Sequence, residues 1–306
     1  MTGDSPHAPV LILCSPRSCS SVTCAMLGQH PQMYGFPELN LFVVDTVEEL
    51  CQLGDGSGPA ASSYIAGLLR TIAELEFGRQ TNDTIQQAKD WLSSRTHWST
   101  WQMFDHLLGQ VHPQIGIDKS PRTGLSTHAL GRALSNRLGV RAIHLTRHPV
   151  ATLQSLHDNH VRSAPGFTSS ASSVWLFNFY ARLWVQSQEL ILRAAAQLGS
   201  FRVLHLRAED LFSQPDVHLM RLAQWLDIDS GPKSIEAMKH PERSPYARPG
   251  PIGLEGDGDP HFFASPELRL GAPLSAIFLP HWWKLGAALA AKVDYLSRCL
   301  GYGPIC

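Results

Sequence analysis

Short apolar runs that alternate with longer helical segments restrict the fold of this chain more than any other feature. Such runs lie at residues 8–15, 114–121, 140–149 and 201–211, and each is followed by a segment with apolar residues at helical spacing. Strands separated by helices are typical of an α/β protein, because each helix returns the chain to the same edge of a parallel sheet. We therefore predict a central parallel sheet flanked by helices.

A group of helical segments without strand signals interrupts this alternation. Residues 60–112 contain three of them, the second beginning from an Asx cap at Asn82 and the third from Ser99. We interpret this stretch as a helical cap insertion over one end of the sheet. Residues 241–270 are rich in Gly and Pro without periodicity, and their aromatic side chains favour a functional loop. One large domain covering residues 1–306 accommodates all of these segments.

The balance of charges limits the classes of partner. The sequence has 25 Lys and Arg against 26 Asp and Glu, so no overall field attracts nucleic acid or an anionic membrane. Its apolar segments are shorter than the roughly 20 residues that a membrane span needs, and its first residues lack the basic and apolar regions of a signal peptide. We expect a cytoplasmic protein without a nucleic-acid or membrane partner, in which any anion site is local.

Cysteine and histidine spacing gives no sign of a metal centre. The six cysteines form neither a C-x-x-C pair nor a zinc-ligand pattern, which fits reduced thiols. His157 and His160 can share a helix face, but no third ligand is evident in the sequence. We therefore predict no metal site.

The segment LILCSPRSCSSVTCAML, residues 11–27, runs from an apolar strand through a turn of small hydroxyl residues into a helix. Turns of this kind bind phosphate, because backbone N–H groups and the positive end of the helix dipole converge on the anion. The turn lacks the glycines and the lysine of a nucleoside triphosphate loop, which argues against a phosphotransferase. The thiol of Cys19, beside Arg17 at a helix N-terminus, is expected to be acidified, so a cysteine nucleophile is a minor alternative.

Three of the predicted strands end in a cation, namely Arg17, Lys119 and Arg147. In an open parallel sheet, ligands bind beyond the carboxyl ends of the strands. The shared position of these cations beside a phosphate-type turn predicts a site for a polyanionic ligand at this edge.

Several motifs, in the same order along the chain, resemble those of the sulfotransferase family. SPRSCSS resembles the 5′-phosphosulfate loop of these enzymes, and RHPVATLQS is similar to their 3′-phosphate motif, an Arg followed eight residues later by a Ser. GQHPQMYGFPEL and DKSP resemble the loops that supply a catalytic Glu and a Lys in the bacterial and tyrosylprotein branches, and LRAEDL resembles a later R-Y-E-D-L strand. More narrowly, the chain resembles sulfotransferase domains embedded in or associated with modular polyketide synthases.

The resemblance implies a P-loop-like sulfotransferase fold and a donor, 3′-phosphoadenosine 5′-phosphosulfate (PAPS), that requires no metal. It implies that Glu38 is the base for an acceptor alcohol, and that Arg17 and Lys119 stabilise charge on the leaving phosphate. The acceptor implied is a small-molecule alcohol or a β-hydroxyacyl chain on an acyl carrier protein, as in natural-product biosynthesis. The residues implied to bind the donor are Arg17, Ser18, Cys19, Ser20, Ser21, Arg147 and Ser155.

Departures from the family pattern leave alternatives open. Cys19 stands where the family usually has Gly, so the turn must keep φ below zero there or direct the thiol away from the phosphate, and Ala208 replaces the Tyr of R-Y-E-D-L. The alternative is a non-catalytic module that binds a 3′,5′-bisphosphonucleotide or docks a carrier protein, with a phosphotransferase as a more distant one. A histidine is also an alternative to Glu38 as base. The histidines near the motifs are His30, His144, His148 and His261.

Aromatic side chains in and around the cap and the irregular loop are interpreted either as a wall of the acceptor pocket or as core residues. They are Trp98, Trp101, Phe104, Trp175, Phe179, Phe262 and Phe263. Trp282 and Trp283 fall in a predicted final helix and are interpreted as packing residues.

Overall fold

The computed structural model describes residues 8–56, 61–134, 139–163, 170–251, 259–271 and 284–305. The strands within these ranges are β1 (Val10–Leu13), β2 (Met33–Gly35), β3 (Ile115–Asp118), β4 (Arg141–Thr146) and β5 (Val203–Arg207). All neighbouring strands are parallel, and they form a five-stranded sheet in the order β2-β3-β1-β4-β5. The predicted α/β class with a central parallel sheet is confirmed.

Strand β1 occupies the middle of the sheet, between β3 and β4. Leu11 of β1 is paired with Asp118 of β3, and Leu13 of β1 is paired with His144 of β4. Strands β2 and β3 lie on one side of β1, and β4 and β5 lie on the other, so the direction in which strands are added reverses at β1. A crevice therefore opens beyond the carboxyl end of β1, where sheets of this kind bind ligands.

Helices surround the sheet, and several of their ends are set by local capping. Thr46, Thr81 and Ser99 each form a capping box at the start of a helix. The predicted Asx cap at Asn82 is wrong by one residue, because the hydroxyl of Thr81 accepts the hydrogen bond. The helices in the described ranges are α1 (Ser20–Leu27), α2 (Val47–Gly54), α3 (Ala66–Phe77), α4 (Asn82–Ser93), α5 (Thr100–Val111), α6 (Thr127–Leu134), α7 (Pro149–Ser163), α8 (Ser170–Leu198), α9 (Ala208–Ser213), α10 (Pro215–Leu226), α11 (Pro232–Ala237), α12 (Pro260–Ala264) and α13 (Ala287–Cys299).

Both faces of the sheet are buried, as the continuous apolar strands require. On one face, Leu11 packs in a cluster with Leu68 of α3 and Phe104 of α5. On the other face, Ile12 packs in a cluster with Leu222 of α10. The three helices predicted between residues 60 and 112 are present as α3, α4 and α5. The helices on the two faces leave the carboxyl edge of the strands as the border on which a site can form.

The aromatic residues singled out in the sequence divide between core and surface. Phe104 is fully buried, and Trp98 and Trp101 pack against the same cluster. Trp175 and Phe179 are stacked with their ring centroids 5.6 Å apart and lie exposed on α8. The core interpretation therefore holds for Trp98, Trp101 and Phe104 and not for Trp175 and Phe179.

The prediction for Trp282 and Trp283 falls outside the described residues, and α13 is the described part of the predicted final helix. None of the helices in the described ranges is long and apolar enough to cross a bilayer. Across the same ranges, no group of three or more His, Cys, Asp and Glu side chains is arranged to hold a metal ion.

Candidate active site

The turn between β1 and α1 adopts a conformation that exposes backbone N–H groups. Arg17 and Cys19 both have left-handed φ values, 67° and 64°. Cys19 is the N-cap of α1, and no side-chain hydrogen bond caps the helix there. The first N–H groups of α1 are therefore available to an anion. Of the two alternatives stated for Cys19, a φ below zero is excluded, because the turn keeps a glycine-like conformation with a cysteine in it.

The serine hydroxyls of the turn point in different directions. The hydroxyl of Ser18 lies 2.9 Å from that of Ser15, and both residues are buried. Ser20 is hydrogen-bonded to the thiol of Cys14, whose pKa is raised to about 12 by burial. Ser21 accepts a hydrogen bond of 2.9 Å from Nζ of Lys119. Ser18 and Ser20 thus brace the turn from inside, while Ser21 faces Lys119.

Glu38 lies between two cations that follow β3. Nζ of Lys119 donates to Oε1 of Glu38 at 2.8 Å, and Nη1 of Arg122 lies 3.8 Å from Oε2. The Lys119 side chain is 3% exposed and that of Glu38 is 16% exposed. The structure therefore brings together the turn, Lys119 and Glu38, and it adds Arg122, which was not singled out in the sequence.

The loop that carries Glu38 is fixed by a chain of hydrogen bonds to the end of β3. The backbone N–H of Asn40 donates to Oγ of Ser120 at 2.9 Å, and Ser120 donates to Oδ1 of Asp118 at 2.9 Å. Burial raises the pKa of Asp118 to about 7. On the other side of the loop, a Cβ at Gly67 would lie only 2.1 Å from the carbonyl oxygen of Glu38. The first turn of α3 can therefore approach Glu38 only because residue 67 is glycine.

A second cluster joins the turn to α7. Nε of Arg17 donates to Oγ of Ser155 at 3.1 Å, across 138 positions of sequence. Nη1 of Arg147 donates to the carbonyl oxygen of Arg17 at 3.1 Å. The helix α7 begins at Pro149, as predicted, which places Ser155 in its second turn. A further contact was not predicted: Nη1 of Arg17 lies 2.9 Å from Oδ1 of Asp259.

Two cavities flank these clusters. The larger has a volume of about 870 Å³ and is lined by Arg17, Cys19, Arg147, Ser155 and Asp259 among others. The smaller, of about 20 Å³, lies beside Lys119 and Ser21. Its wall includes Tyr246, Phe262 and Phe263. The two phenylalanines are thus the aromatic residues of the predicted wall that lie next to Lys119.

The motif LRAEDL supports the site through Glu209, which contacts the segment before α7. Oε1 of Glu209 accepts the backbone N–H of His148 at 2.8 Å, and Oε2 accepts the hydroxyl of Tyr302 at 3.0 Å. These bonds hold the entry to α7, between the predicted phosphate ligands Arg147 and Ser155. Ala208 is 2% exposed and packs in the apolar cluster beneath the sheet.

The candidate histidines have different environments. Burial lowers the pKa of His144 to about 4, and its Nε2 lies 2.9 Å from Oε1 of Gln188. Burial also lowers the pKa of His148 to about 4. The ring of His30 is held on both sides, by the carbonyl of Asp229 and the N–H of Gln32. His261 lines the larger cavity.

The expectation of an acidified thiol at Cys19 is wrong. Burial raises the pKa of Cys19, and this effect exceeds the lowering by the Arg147 and Arg17 charges. A neutral thiol is a poor nucleophile.

Comparisons with known proteins place this geometry in a family context. A family model described as "Sulfotransferase family" matches residues 9–232. No curated protein sequence matches the chain.

Solved structures resemble the whole chain. The sulfotransferase domain from the Synechococcus PCC 7002 olefin synthase is 26% identical, with a TM-score of 0.71, and the match covers 99% of this chain and 97% of that one. The sulfotransferase domain from the curacin biosynthetic pathway is 20% identical, with a TM-score of 0.78, and the match covers 97% of this chain and 98% of that one. At this identity the second likeness concerns the fold alone.

Proposed function

The chain belongs to the sulfotransferase family, and we propose that it transfers a sulfuryl group from PAPS to an alcohol. The observation that carries this proposal is the position of Lys119. Its ammonium group contacts both Ser21 of the phosphate-type turn and the carboxylate of Glu38, at 2.9 and 2.8 Å. One cation therefore connects the proposed donor site to the proposed base.

The larger cavity has the size and the charge for the donor. Its volume of about 870 Å³ falls in the range of roughly 300–1,000 Å³ that is usual for small-molecule and cofactor sites. Arg17, Arg147 and Ser155 line it and supply guanidinium and hydroxyl donors, which suit phosphate oxygens. We propose that Arg147 and Ser155 bind the 3′ phosphate, and that the turn N–H groups with Ser21 bind the 5′ phosphate.

Sulfuryl transfer requires in-line positioning of the reactants and stabilisation of negative charge on the leaving group. In our proposal the acceptor oxygen attacks sulfur in line, and the bond from sulfur to the 5′-phosphate oxygen breaks. The proton of the alcohol passes to Glu38, and adenosine 3′,5′-bisphosphate leaves with its added negative charge next to Lys119 and Arg17. Lys119 also keeps Glu38 oriented, and Arg122 keeps its second oxygen close to a positive charge.

We further propose that the acceptor is a small-molecule alcohol or an alcohol on an acyl carrier protein. Support comes from the likeness to the sulfotransferase domain of an olefin synthase. Support also comes from the apolar wall of Phe262, Phe263 and Tyr246 beside Lys119.

Ligand-induced stabilisation tests the donor. Adenosine 3′,5′-bisphosphate at 100 times its dissociation constant should stabilise the protein by roughly 2.7 kcal/mol, whereas AMP and ATP with magnesium should not match it. Arg147→Ala should abolish the shift. Arg193→Ala, which removes the same charge from a side chain of α8 that is 74% exposed, should retain it. An equal shift with ATP would contradict the proposed donor.

Turnover tests the roles of the residues. Glu38→Gln should keep bisphosphate binding and lose sulfuryl transfer, and Glu48→Gln on exposed α2 serves as its control. Lys119→Ala should lower the rate even with saturating donor. Full turnover in Glu38→Gln would remove Glu38 as the base.

A further inference from the structure

The carboxylate of Asp259 forms an ion pair with Arg17, an arginine that we assign to the donor site. Oδ1 of Asp259 lies 2.9 Å from Nη1 of Arg17, and Nε of the same guanidinium is bonded to Ser155 at 3.1 Å. The Arg17 side chain is 11% exposed and that of Asp259 is 25% exposed, so the pair is partly shielded from water. Both residues line the larger cavity.

A carboxylate in this position opposes the binding of a phosphate. The donors of Arg17 on the Asp259 side are already engaged, and a phosphate that approaches them meets a like charge. Unit charges at about 4 Å interact by roughly 1 kcal/mol even in water, and by more where solvent is limited. A phosphate at Arg17 must therefore displace Asp259 or accept its repulsion.

The same carboxylate also holds the start of α12. Oδ1 of Asp259 accepts the N–H of His261 at 2.9 Å, and its carbonyl oxygen accepts the N–H of Phe263 at 3.0 Å. Phe262 lines both cavities, and Phe263 lines the small one beside Lys119. That small cavity, about 20 Å³, has room for little more than one water molecule.

We propose that Asp259 is an internal competitor of the donor phosphate at Arg17, and that it thereby determines donor affinity. When the phosphate binds Arg17, Asp259 is released and α12 loses its attachment to Arg17, while the contact of His261 with Arg162 remains. The pocket beside Lys119 can then enlarge for the acceptor, so the donor binds first. This inference rests on the proposed function, because it takes the donor to be a nucleotide with phosphate groups.

Calorimetric titration with adenosine 3′,5′-bisphosphate tests the competition. The proteins compared are the wild type, Asp259→Asn and Glu267→Gln, which removes a carboxylate from the wall of the same cavity. Asparagine retains an oxygen for the N–H of His261 but not the charge. We expect Asp259→Asn to bind about fivefold more tightly or better, as removal of one charge at this distance predicts. Glu267→Gln should change the affinity by less.

The outcomes separate the two proposals. Wild-type binding with equal or weaker binding by Asp259→Asn would overturn the competition and leave the donor assignment standing. Absence of binding by both proteins would overturn the donor assignment and the competition together.

Hydrogen exchange provides the second readout. Addition of the bisphosphate to the wild type should speed exchange of the amides of His261 and Phe263, because α12 loses its attachment to Arg17 through Asp259. Asp259→Asn keeps an oxygen for His261 but not the ion pair with Arg17, so the bisphosphate should speed exchange less in this variant than in the wild type. Unchanged or slower exchange on binding would overturn the link to α12.

Discussion

The left-handed conformation of Cys19 predicts an unusual response to glycine. At φ 64° the Cβ of an L-residue crowds the following carbonyl, at a cost of roughly 1–2 kcal/mol. Cys19→Gly removes that cost, although the greater freedom of glycine in the unfolded chain offsets about 0.4–1 kcal/mol. We therefore expect Cys19→Gly to have a free energy of unfolding about 1 kcal/mol higher than Cys19→Ala, which keeps the Cβ.

The matched control is Cys51, which lies in the regular helix α2. There glycine should be less stable than alanine by about 1 kcal/mol, so the sign of the difference reverses between the two positions. Urea unfolding in reducing buffer, with equal m-values required for all four variants, measures both differences. A Cys19→Gly variant no more stable than Cys19→Ala would refute the reasoning, because it would mean that the turn holds no strain at the Cβ.

Three further predictions concern the support of the site. Gly67→Ala should lower the free energy of unfolding by about 1–3 kcal/mol and reduce turnover more than bisphosphate binding, because the new Cβ would lie 2.1 Å from the Glu38 carbonyl oxygen. The control is Gly109→Ala in α5, which has no described atom within 4 Å of its Cβ and should be stabilising. The pKa of Asp118 is raised from 3.8 to about 7, so its ionisation costs stability as the pH rises through this window. The free energy of unfolding of Asp118→Asn, taken relative to that of the wild type, should therefore rise by on the order of 3–4 kcal/mol between pH 4 and pH 8. Unfolding titrations in which this difference stays constant with pH would contradict the prediction. The pKa of His144 is lowered from 6.5 to about 4, so the unfolded chain is protonated at a higher pH than the folded protein. As the pH falls from 7 to 4, the free energy of unfolding of the wild type should therefore decrease by about 3 kcal/mol more than that of His144→Gln. Parallel acid unfolding of the two proteins would exclude His144 as the cause.

Sequence patterns predicted the elements of the fold because their signals are local. The apolar run that became β1 and the hydroxyl turn before α1 are contiguous in the chain, and the hydroxyl of Ser99 caps the helix that follows it directly. Cations that follow strand ends also had to meet, since parallel strands share one carboxyl edge. Arg17, Lys119 and Arg147 were therefore assigned to one region before any geometry was known.

The remaining features depend on contacts between distant parts of the chain. The pairing of Arg17 with Asp259, and the approach of Gly67 to Glu38, have no counterpart in local composition. The sign of φ at Cys19 stayed open in the sequence, because the family usually has glycine there but cysteine rarely adopts a positive φ. The pKa of its thiol was predicted to shift in the wrong direction, because burial, which depends on the whole fold, outweighs the nearby positive charges. The single domain and the roles of the individual site residues stay predictions.

The contact between Gly67 and Glu38 limits how this protein can be re-engineered. Leu68 and Phe104 of the helical segment 61–111 pack in one cluster with Leu11 of the sheet, so exchange of this segment for that of another chain must preserve this packing. Asn40 donates through Nδ2 to the carbonyl oxygen of Ser63, so the incoming segment meets the Glu38 loop at its first turn as well as at residue 67. A chimaera must therefore import a glycine and a matching backbone at this junction. Without them, the graft would displace the loop that carries Glu38, the proposed base.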